Sequence, residues 1–586
     1  MNKHFTCIGT LILLLALCLL APTRLALAQT SLDWPFYGGD LANTRYQNVD
    51  QINPSNVANL KVAWIFHTGV LDPKAELEVS PIEVNGTVYI TDGHDDVFAV
   101  DAVTGSQKWA YMPITIAGEM PPLTAISVCC GRNNRGVVFV PDMGSGAGAV
   151  IYGRLDDVVV ALDAATGAVL WKTTVANFQD RVAINMAPQL AKGLVFVATA
   201  GGEFLTRGEV VALEASTGKI VWRFFTSQKG TWGGDSWKKG GSMAWQNPSV
   251  DLDLGLLYTG TGNPSPDING VRRIGDNLYS ASVVALDLAT GHVGWFFQET
   301  HHDLWDYDST MTTVLFPVEK NGQSIPALGH CSKNGNYYIL DRRNGQPVYP
   351  VTETPVPTKP AWQHPSPTQP VSSVEPLTPL TFVPGTIDKS LLPKGVALAP
   401  QYTPPQQQEL LMVPGDDGGC EGIAQAYSPR TKFVYYGTRY EPTTFHTSPN
   451  NPPCSGGVCL GSTFEEVIPG VTDFGVFGAT DTTTGKVAWK INVPQPAKSG
   501  MLVAGDLVFF GEGNGMFHAV NANTGAMLFT FDGTTVKNGG GAQAAPVAYV
   551  VNGKEFIVNG FGGNLPDRLN FPPNPVGDAV VAFTLP

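Results

Sequence analysis

Apolar and polar positions follow one pattern that recurs along the whole chain. A typical copy is VVALDAATGAVLW at residues 159–171, where an apolar run leads into Asp-x-x-Thr-Gly and a second run ends on an aromatic residue. Short apolar runs rich in Val, Ala and Leu on either side of a turn signal predict paired β-strands. Each copy therefore predicts a β-hairpin.

The turn of this hairpin has a physical explanation. Asp and Thr side chains can hydrogen-bond neighbouring backbone groups, and Gly supplies the positive φ that a tight turn requires. The aromatic residue at the end gains most when both of its faces are covered. We therefore expect it to pack between neighbouring sheets.

The copies are numerous enough to predict the architecture. Six more copies start at Val97, Val210, Val283, Tyr337, Phe477 and Phe517. A unit of this size cannot bury both faces alone, so the units must stack around a shared core. The longest interval has room for a degenerate copy in residues 409–413 and 433–438, and the C-terminal VVAFTLP can close the ring. We predict an all-β, eight-bladed β-propeller with tryptophan-docking-type repeats; an open solenoid or a sandwich is the alternative.

The repeats favour a single propeller domain over residues 29–586. Within it, proline recurs every few residues from 350 to 408, so this segment cannot form a central strand. Trp362, Leu377 and Phe382 give the segment apolar anchors, and we expect an extended strap that lies against the propeller. The alternative is a disordered linker.

Residues 1–28 have the pattern of an export signal. Lys3 precedes an apolar run over residues 8–21, and Ala-Leu-Ala ends at residue 28. A basic start, a short apolar run and small residues before the cleavage site are typical of signal peptides. We predict cleavage after Ala28, a periplasmic location and no membrane span in the mature chain. A retained membrane anchor is the alternative.

The charge balance excludes one class of partner. Removing residues 1–28, with Lys3 and Arg24, leaves 34 basic against 50 acidic residues, a formal charge of −16. Such a surface repels phosphate backbones, so nucleic acid is not an expected partner. The 65 Gly, 45 Pro and 15% charged residues suit a compact all-β protein with many turns.

Four of the cysteines concern structure. Cys454 and Cys459 bracket Ser-Gly-Gly-Val, a loop that a disulfide can close, and export permits such a bond. Cys331 and Cys420 either pair or stay as buried thiols, because their spacing does not decide between the two. The sequence has no Cys-x-x-Cys-His, so a covalent c-type haem is not expected.

Cys129 and Cys130 are adjacent, which favours either a strained vicinal disulfide or two buried thiols. Three further motifs follow this pair. In chain order the motifs are Cys-Cys-x4-Arg-Gly at 129–136, Gly-Glu-x3-Arg-Gly at 202–208, Gly-Thr-Gly-Asn-Pro at 260–264 and His-Asp-Leu-Trp-Asp-Tyr-Asp at 302–308. With these motifs inside the repeats, nearly the whole mature chain resembles the pyrroloquinoline quinone (PQQ)-dependent alcohol dehydrogenases.

The resemblance implies a site for PQQ, a flat tricarboxylate with an ortho-quinone edge. It implies that a vicinal disulfide between Cys129 and Cys130 covers one face of the ring and that Trp245 covers the other. Arg135 matches the arginine that binds a carboxylate, and Lys333 matches the cation near the quinone oxygens. Ordinary blade packing for Trp245 and a surface turn for Lys333 are the alternatives.

Three more positions match family contacts to PQQ. They are Asn185, Gly201 and Gly202.

The resemblance also implies a metal site and a catalytic base. Glu203 and Asn263 match metal ligands, and oxygen donors of this kind suit a hard cation such as Ca²⁺. Asp306 matches the base that takes the hydroxyl proton and also a metal ligand. Asp308, two positions later, matches members that use a lanthanide, because its extra negative charge favours a trivalent ion. We expect a lanthanide first and Ca²⁺ second; solvated turn residues are the alternative reading of these side chains.

The match fails in two places, and a zinc site is not expected. Several members have Asn-Trp after a Gly-Gly, but here Cys420, Glu421 and Gly422 follow Gly418-Gly419, and Ala497 stands near a position where the alcohol enzymes have Trp. The substrate pocket is therefore expected to be larger or more polar. The adjacent histidines at 301–302 lack partners that would complete a zinc site.

We expect an exported enzyme that oxidises an alcohol to the carbonyl by hydride transfer to metal-bound PQQ. Electrons would pass to a separate acceptor, with a c-type cytochrome as the expected partner. The alternatives are a non-catalytic propeller scaffold of the outer-membrane assembly type and a polyol or sugar quinoprotein. A scaffold has no need of Glu203, Asn263 or Asp306.

Overall fold

The computed structural model describes residues 31–143, 146, 148–422, 424–455, 457–465, 467–563 and 575–586. The predicted signal peptide lies outside these residues. In the described parts of the chain no helix has the length and apolar character needed to cross a membrane. Helical structure there consists of short 3₁₀ turns, at Val57–Asn59, Pro113–Thr115, Leu123–Ala125, Phe178–Asp180, Gly202–Phe204, Ser236–Lys239, Ala361–Gln363 and Gly533–Thr535.

The remaining regular structure is β-sheet, and eight sheets of three to five strands account for the repeats. We number them sheet 1 to sheet 8. Sheet 1 contains Lys61–His67, Ala579–Thr584, Lys554–Phe561, Val547–Val551 and Ser31–Leu32; sheet 2, Ile82–Val84, Thr87–Thr91, Val97–Asp101 and Gln107–Tyr111; sheet 3, Val138–Val140, Ala149–Gly153, Val158–Asp163 and Val169–Thr174; sheet 4, Gln189–Ala191, Leu194–Ala198, Glu209–Glu214 and Ile220–Phe225.

Sheets 5 to 8 follow the same antiparallel order. Sheet 5 contains Ser249–Asp251, Leu256–Gly260, Ser282–Asp287 and Val293–Gln298; sheet 6, Val314–Lys320, Gln323–Cys331 and Tyr337–Asp341; sheet 7, Ala426–Ser428, Phe433–Tyr440, Phe474–Asp481 and Lys486–Val493; sheet 8, Leu502–Ala504, Leu507–Gly511, Met516–Asn521 and Met527–Asp532, with Tyr46–Gln47 added in parallel.

The predicted hairpins are confirmed, and sheet 3 illustrates their chemistry. Asp163 Oδ1 accepts hydrogen bonds from the backbone N–H and the hydroxyl of Thr166 at 2.9 and 2.7 Å. Gly167 has φ +73°, and a Cβ there would lie 2.6 Å from Trp109 of sheet 2. Glycine is therefore required both for the turn and for the close approach of the neighbouring indole.

Aromatic residues link each sheet to the next. Trp109 in sheet 2 donates its Nε1–H to the carbonyl of Ala164, beside sheet 3, at 3.0 Å. The equivalent bonds measure 2.9 to 3.1 Å and run from Trp64 to Ala102, Trp171 to Ala215, Trp222 to Leu288, Trp295 to Arg342 and Trp489 to Ala522. Tyr349 bonds Thr482 in the same way at 2.8 Å. The sheets thus contact one another in order, as in a β-propeller.

The N-terminal and C-terminal strands close this order. Lys61–His67 pairs antiparallel with Ala579–Thr584 in sheet 1. On the other side, Phe529 of sheet 8 packs 6.2 Å from Phe583 of sheet 1, measured between ring centroids. Joining the two ends of the chain in one sheet removes the free edges that an open array would leave.

Of the two runs predicted to form the degenerate copy, one lies in a blade-like sheet and the other does not. Phe433–Tyr440 does belong to a blade-like sheet, but to sheet 7, where it pairs with the Phe477 copy. Leu410–Met412, within the predicted run 409–413, instead lies in an accessory sheet with Ala397–Leu398, Thr443–His446 and Thr463–Glu465. The error arises because strand pairing here joins residues that are distant in sequence. The sheet that brings the number to eight is sheet 1, which contains strands from both ends of the chain.

The proline-rich segment carries a short hairpin. Val351–Pro355 pairs antiparallel with Thr368–Ser372. Leu377, one of the expected anchors, is 1% exposed and packs in the same core cluster as residues of sheets 6 and 7. The prolines of this segment fall in edge strands or between strands, where a missing backbone N–H costs little.

Candidate active site

Ten of the twelve predicted site residues line one cavity of about 380 Å³. They are Cys129, Cys130, Arg135, Asn185, Gly201, Glu203, Trp245, Asp306, Asp308 and Lys333. The other two are adjacent to this set. A Cβ on Gly202 would lie 3.3 Å from Asn263 Oδ1, and the backbone N–H of Asn263 donates to Asp308 Oδ1 at 2.5 Å.

The loops that carry these residues connect consecutive sheets or join inner strands within a sheet. Glu203 sits on the 3₁₀ turn Gly202–Phe204, which follows the second strand of sheet 4. Asp306 lies between sheets 5 and 6 and adopts φ +64°, a left-handed conformation that is uncommon for a residue with a side chain. Strain of this kind is typical of functional positions.

The acidic end of the cavity contains Glu203, Asp306, Asp308 and Lys333. The Lys333 ammonium lies 3.3 Å from Asp306 Oδ2 and 3.5 Å from Asp308 Oδ2. Backbone bonds hold the acids in register, since the N–H of Asp308 donates to the Asp306 carbonyl at 3.0 Å and the N–H of Lys333 to the Asp308 carbonyl at 3.0 Å. We call these four residues the metal-end cluster.

Burial in the metal-end cluster favours the neutral form of Asp306 and Glu203. Burial raises the pKa of Asp306 well above its usual value, and Asp308 adds to this against the opposing effect of Lys333. Burial, together with Asp308, also raises the pKa of Glu203. Burial acts to lower the pKa of Lys333, but Asp306 and Asp308 outweigh it and raise that pKa well above its usual value.

The donor set fits a hard cation. Among the described residues, no three His, Cys, Asp or Glu side chains are already arranged around one point at coordination distance. Asp306 Oδ1, an oxygen of the kind that hard cations bind, is nevertheless buried without a hydrogen-bond partner. The donor Nδ2 of Asn263 is likewise buried without a partner. Since an orphaned buried polar atom is costly, these atoms indicate a group that the polypeptide itself does not supply.

The opposite end of the cavity contains Arg135, Glu76 and Glu78, which we call the carboxylate-end cluster. Arg135 Nη2 lies 2.7 Å from Glu78 Oε2, whereas its Nη1 is buried without a hydrogen-bond partner. Burial acts to raise the pKa of Glu78, but the Arg135 guanidinium, the hydrogen bond with Glu76 and the charges of Lys498 and Arg439 together outweigh it, and the pKa is lowered. Burial and the neighbouring Glu78 raise the pKa of Glu76 well above its usual value.

The two predicted walls face the same cavity. The Arg135 guanidinium lies 5.1 Å from the centroid of the Trp245 ring, within cation–π range. Gly422 packs against this ring, since a Cβ there would lie 2.9 Å from Trp245. A carboxylate bound to the free Nη1 of Arg135 would therefore lie beside a flat aromatic surface, which suits a planar acid such as PQQ.

The vicinal disulfide implied by the resemblance is not formed in this structure. The Sγ atoms of Cys129 and Cys130 lie 2.9 Å apart, whereas a disulfide bond is about 2.05 Å long. Both side chains line the cavity. The pair thus occupies the predicted wall, and its covalent state stays a prediction.

The other cysteines form two disulfides that hold parts of the cavity wall. The predicted Cys454–Cys459 bond is confirmed, and the N–H of Cys459 donates to the carbonyl of Glu203 at 2.6 Å. Cys331 and Cys420, left open by the sequence, are joined as well. This second bond connects the turn of Lys333 to the loop that ends at Gly422.

Sequence reasoning missed several residues of the cavity. They are Glu76, Glu78, Asp417, Glu421, Arg439, Glu441 and Lys498. With them, the lining holds eight acidic and four basic side chains among the described residues. Lys498 lines the cavity next to Ala497, which is buried, so the wall near this departure from the family is polar. Glu421 was noted only as part of a departure from the family pattern, and not as a residue of the cavity.

The histidines at 301–302 do not form a metal site. The ring nitrogens of His302 lie 2.6 and 2.8 Å from the carbonyls of Gly275 and Gln363. Burial lowers the pKa of His302 to about 3. Both ring nitrogens of His302 therefore face backbone carbonyls, and the neutral ring can donate a hydrogen bond to one of them.

Comparisons with known proteins agree with the motifs. A profile of the glucose, ethanol and alcohol dehydrogenase β-propeller domain that binds PQQ matches residues 34–456. A second profile, for the outer membrane protein assembly factor BamB, matches residues 441–566. The first match covers more than half of the chain.

Among curated proteins, the chain is 32% identical over 564 residues to a quinohemoprotein alcohol dehydrogenase of Comamonas testosteroni, covering 91% of this chain and 73% of that protein. It is 30% identical over 573 residues to the putative dehydrogenase XoxF of Paracoccus denitrificans, covering 90% and 87%. It is 29% identical over 562 residues to the quinoprotein alcohol dehydrogenase PedH of Pseudomonas putida, covering 89% and 85%.

Solved structures give the same result. The structure of the Comamonas testosteroni quinohemoprotein alcohol dehydrogenase superposes with a TM-score of 0.75 at 28% identity, covering 96% of this chain and 81% of that one. A europium-containing methanol dehydrogenase superposes with a TM-score of 0.75 at 27% identity, covering 94% and 98%.

Proposed function

The chain belongs to the PQQ-dependent alcohol dehydrogenase family, and we propose that its cavity binds PQQ and one metal ion to oxidise an alcohol to the carbonyl. The observation that carries the proposal is the gathering of ten predicted site residues around one cavity. These residues extend from Cys129 to Lys333 in the sequence, and no local structure requires them to meet.

We propose that the carboxylate-end cluster and the two walls hold PQQ. Arg135 has a free donor for a carboxylate of the cofactor, and Asn185 Oδ1 is a second buried atom without a partner. Trp245 and the Cys129–Cys130 pair would cover the two faces of the ring. Lys333 would face the quinone edge from the metal end. PQQ supplies the hydride acceptor that amino-acid side chains lack.

Asp306 is the residue we assign as catalytic base. Its Oδ1 is buried and has no hydrogen-bond partner, so it is available to accept the proton of a substrate hydroxyl. To do so it must be ionised, which burial opposes. Lys333 at 3.3 Å from Oδ2 and a cation held by Glu203 and Asn263 would both stabilise the carboxylate form.

We propose that the metal is a lanthanide, with Ca²⁺ as the weaker alternative. Glu203, Asp306 and Asp308 bring three carboxylates to one end of the cavity, and the whole lining has an excess of four acidic side chains. A trivalent ion offsets this charge better than a divalent ion does. As a Lewis acid, such an ion makes a bound carbonyl more electrophilic.

The finer features of the architecture are also part of the proposal. We propose that sheets 1 to 8 are eight blades of one propeller over residues 29–586, with residues 350–408 as a strap. Trp Nε1–H bonds at six of the eight junctions between sheets support tryptophan docking. We further propose that residues 1–28 direct export to the periplasm and that a c-type cytochrome accepts the electrons.

Two other functions compete with this proposal. The BamB profile at residues 441–566 favours a non-catalytic scaffold for the last repeats, but a scaffold gives no reason for the buried unpaired atoms of Asp306 and Asn263. A polyol or sugar quinoprotein shares the same cofactor chemistry, and the polar wall at Lys498 is compatible with a polar substrate. Substrate profiling separates this class from simple alcohols.

The test is reconstitution of the purified protein with PQQ and either La³⁺ or Ca²⁺. Dye reduction is then followed across a panel of alcohols, polyols and sugars. The proposal expects activity that requires both PQQ and metal, is greater with La³⁺, and depends on the alcohol. Absence of both PQQ binding and dye reduction with every metal would support the scaffold instead.

A further inference from the structure

The Lys333 ammonium faces two carboxylates besides those of the metal-end cluster. Asp417 Oδ1 lies 3.7 Å and Glu421 Oε1 lies 3.9 Å from Lys333 Nζ. Together with Asp306 and Asp308, four carboxylates therefore compete for one cation, which is 3% exposed. Water screens such charges little in a buried site, so the competition affects the position of the lysine.

Arg439 supplies a second positive charge to two of these carboxylates. Its Nη1 lies 2.6 Å from Glu421 Oε2 and 3.3 Å from Asp417 Oδ2, and its side chain is 3% exposed. The Nε–H donates to the carbonyl of Ala497 at 3.1 Å, which holds the guanidinium in place. Arg439 is therefore a close counter-ion of Asp417 and Glu421, the two carboxylates outside the metal-end cluster that lie within 4 Å of Lys333.

Covalent and backbone bonds keep these groups together. The Cys331–Cys420 disulfide joins the strand before Lys333 to the loop of Asp417 and Glu421. The N–H of Cys420 donates to the Ser332 carbonyl at 3.2 Å, and the N–H of Arg439 donates to the Gly419 carbonyl at 2.8 Å. The turn, the loop and the strand Phe433–Tyr440 thus cannot separate to relieve an uncompensated charge.

We propose that Arg439 is a positioning residue that partly neutralises Asp417 and Glu421 and so weakens their attraction for Lys333, which lets Lys333 stay directed toward Asp306 and the cofactor. The proposal rests on the proposed function, in which Lys333 faces the quinone edge. It concerns a feature of this chain, because Cys420, Glu421 and Gly422 follow Gly418-Gly419, whereas several members of the family have Asn-Trp after a Gly-Gly.

The experiment compares three variants in protein reconstituted with PQQ and La³⁺. Arg439→Met removes the counter-ion, and we expect the Kd of PQQ to rise about tenfold, since close buried charge pairs couple at the level of a kcal/mol or more. Adding Glu421→Gln should recover about half of this loss on a logarithmic scale, and Arg439→Lys should retain most of the affinity. Tryptophan fluorescence quenching gives the Kd.

The absorption spectrum of bound PQQ and the separate values of kcat and KM provide readouts that a purely structural role would not move. We expect Arg439→Met to change the spectrum and to lower kcat more than it raises KM, with both reversed by Glu421→Gln. Arg430→Met is the matched control. It removes an exposed arginine that pairs with Asp50 at 2.6 Å, and it should leave the PQQ Kd and the spectrum unchanged.

Two results overturn the proposal. One is a double variant that binds PQQ no better than Arg439→Met, and the other is an Arg439→Lys variant that fails as completely as the Met variant, in binding or in folding. If Arg439→Met does not fold but the double variant does, the uncompensated carboxylate is the cause and the proposal stands. If the wild-type protein does not bind PQQ, the result contradicts the proposed function rather than the role of Arg439.

Discussion

The two ends of the cavity each place a carboxylate beside a cation, with opposite results. At the carboxylate end, Glu78 contacts Arg135 at 2.7 Å and its pKa is lowered. At the metal end, Asp306 contacts Lys333 at 3.3 Å and its pKa is nevertheless raised well above the usual value. Both side chains line the same buried cavity.

The difference lies in how many acids share the cation. Lys333 is within 4 Å of four carboxylates, whereas among the described residues the only salt bridge of Arg135 is to Glu78. An ion pair stabilises a buried carboxylate only if its partner is not divided among competitors. The metal end is therefore short of positive charge before any ion binds, and the carboxylate end is close to balanced.

The largest expected effect comes from Asp306→Asn at the metal end. The amide keeps the size of the side chain but cannot accept the substrate proton, so kcat should fall about 1,000-fold. Binding of PQQ, measured by fluorescence quenching, should remain. Asp235→Asn, at an exposed residue paired with Lys238, is the control. A variant that retains kcat would remove Asp306 from the role of base.

Arg135→Met removes the ion pair between Arg135 and Glu78 in the carboxylate-end cluster. It leaves Glu78 without its partner and removes the donor for a cofactor carboxylate, so the Kd of PQQ should rise about 100-fold. The Kd of PQQ for Arg135→Lys should lie between the values for the wild type and Arg135→Met, because an ammonium keeps the charge but cannot make the two-pronged contact. Equal PQQ affinity in the wild type and the Met variant would show that the carboxylates bind elsewhere.

Asp308→Ala tests whether the shortage of positive charge at the metal end determines which ion binds there. Losing one of three carboxylates should reduce the preference for a trivalent over a divalent ion about tenfold. Titration with Eu³⁺, followed by its luminescence, and competition with Ca²⁺ measure this preference without turnover. The carboxylate end should be unaffected, so PQQ affinity at saturating metal is the internal control. An unchanged Eu³⁺ to Ca²⁺ ratio contradicts the lanthanide proposal.

The smallest effect is a dependence of stability on pH. Groups whose pKa is raised in the folded state bind protons more tightly there, so they stabilise the fold at low pH and lose this effect as pH rises. Asp306 and Glu203 are such groups, and burial also raises the pKa of Asp95 to about 7 and that of Asp96 to about 8.

The metal-free protein should therefore melt at a lower temperature at about pH 8 than at about pH 5. La³⁺ should remove the part of this slope that comes from the metal end, and Asp306→Asn should reduce the same part. Asp95 and Asp96 lie outside the cavity lining and keep their contribution in both cases. A slope of the opposite sign would show that these acids are ionised in the folded protein.

The sequence was informative where a few neighbouring residues decide the structure. The turn at Asp163, Thr166 and Gly167 follows from side-chain hydrogen bonds and one positive φ, and it forms as predicted. The Cys454–Cys459 bond closes a short loop and was predicted for the same reason. The eighth repeat was placed wrongly at residues 409–413, because the sheet that completes the set is sheet 1, whose strands come from the two ends of the chain.

The residues of the candidate site also fall into those that the sequence predicted and those that it did not. The residues within the four motifs were found because their spacing is local, and the resemblance assigned their roles. Glu78 and Asp417 were missed, since each is an isolated charged residue in a loop with no motif around it. Arg439 was missed because it is an isolated charged residue within the strand Phe433–Tyr440. Their meeting at the cavity depends on the closure of the sheets and on the Cys331–Cys420 bond.

The chain's own pattern thus determined the all-β class, the repeated hairpins and the family, because strand periodicity and turn chemistry act over a dozen residues. Tertiary structure alone decided the order in which the sheets close, the pairing of Cys331 with Cys420 and the division of Lys333 among four acids. These depend on distances between residues far apart in sequence, and such distances follow from packing rather than from any local preference.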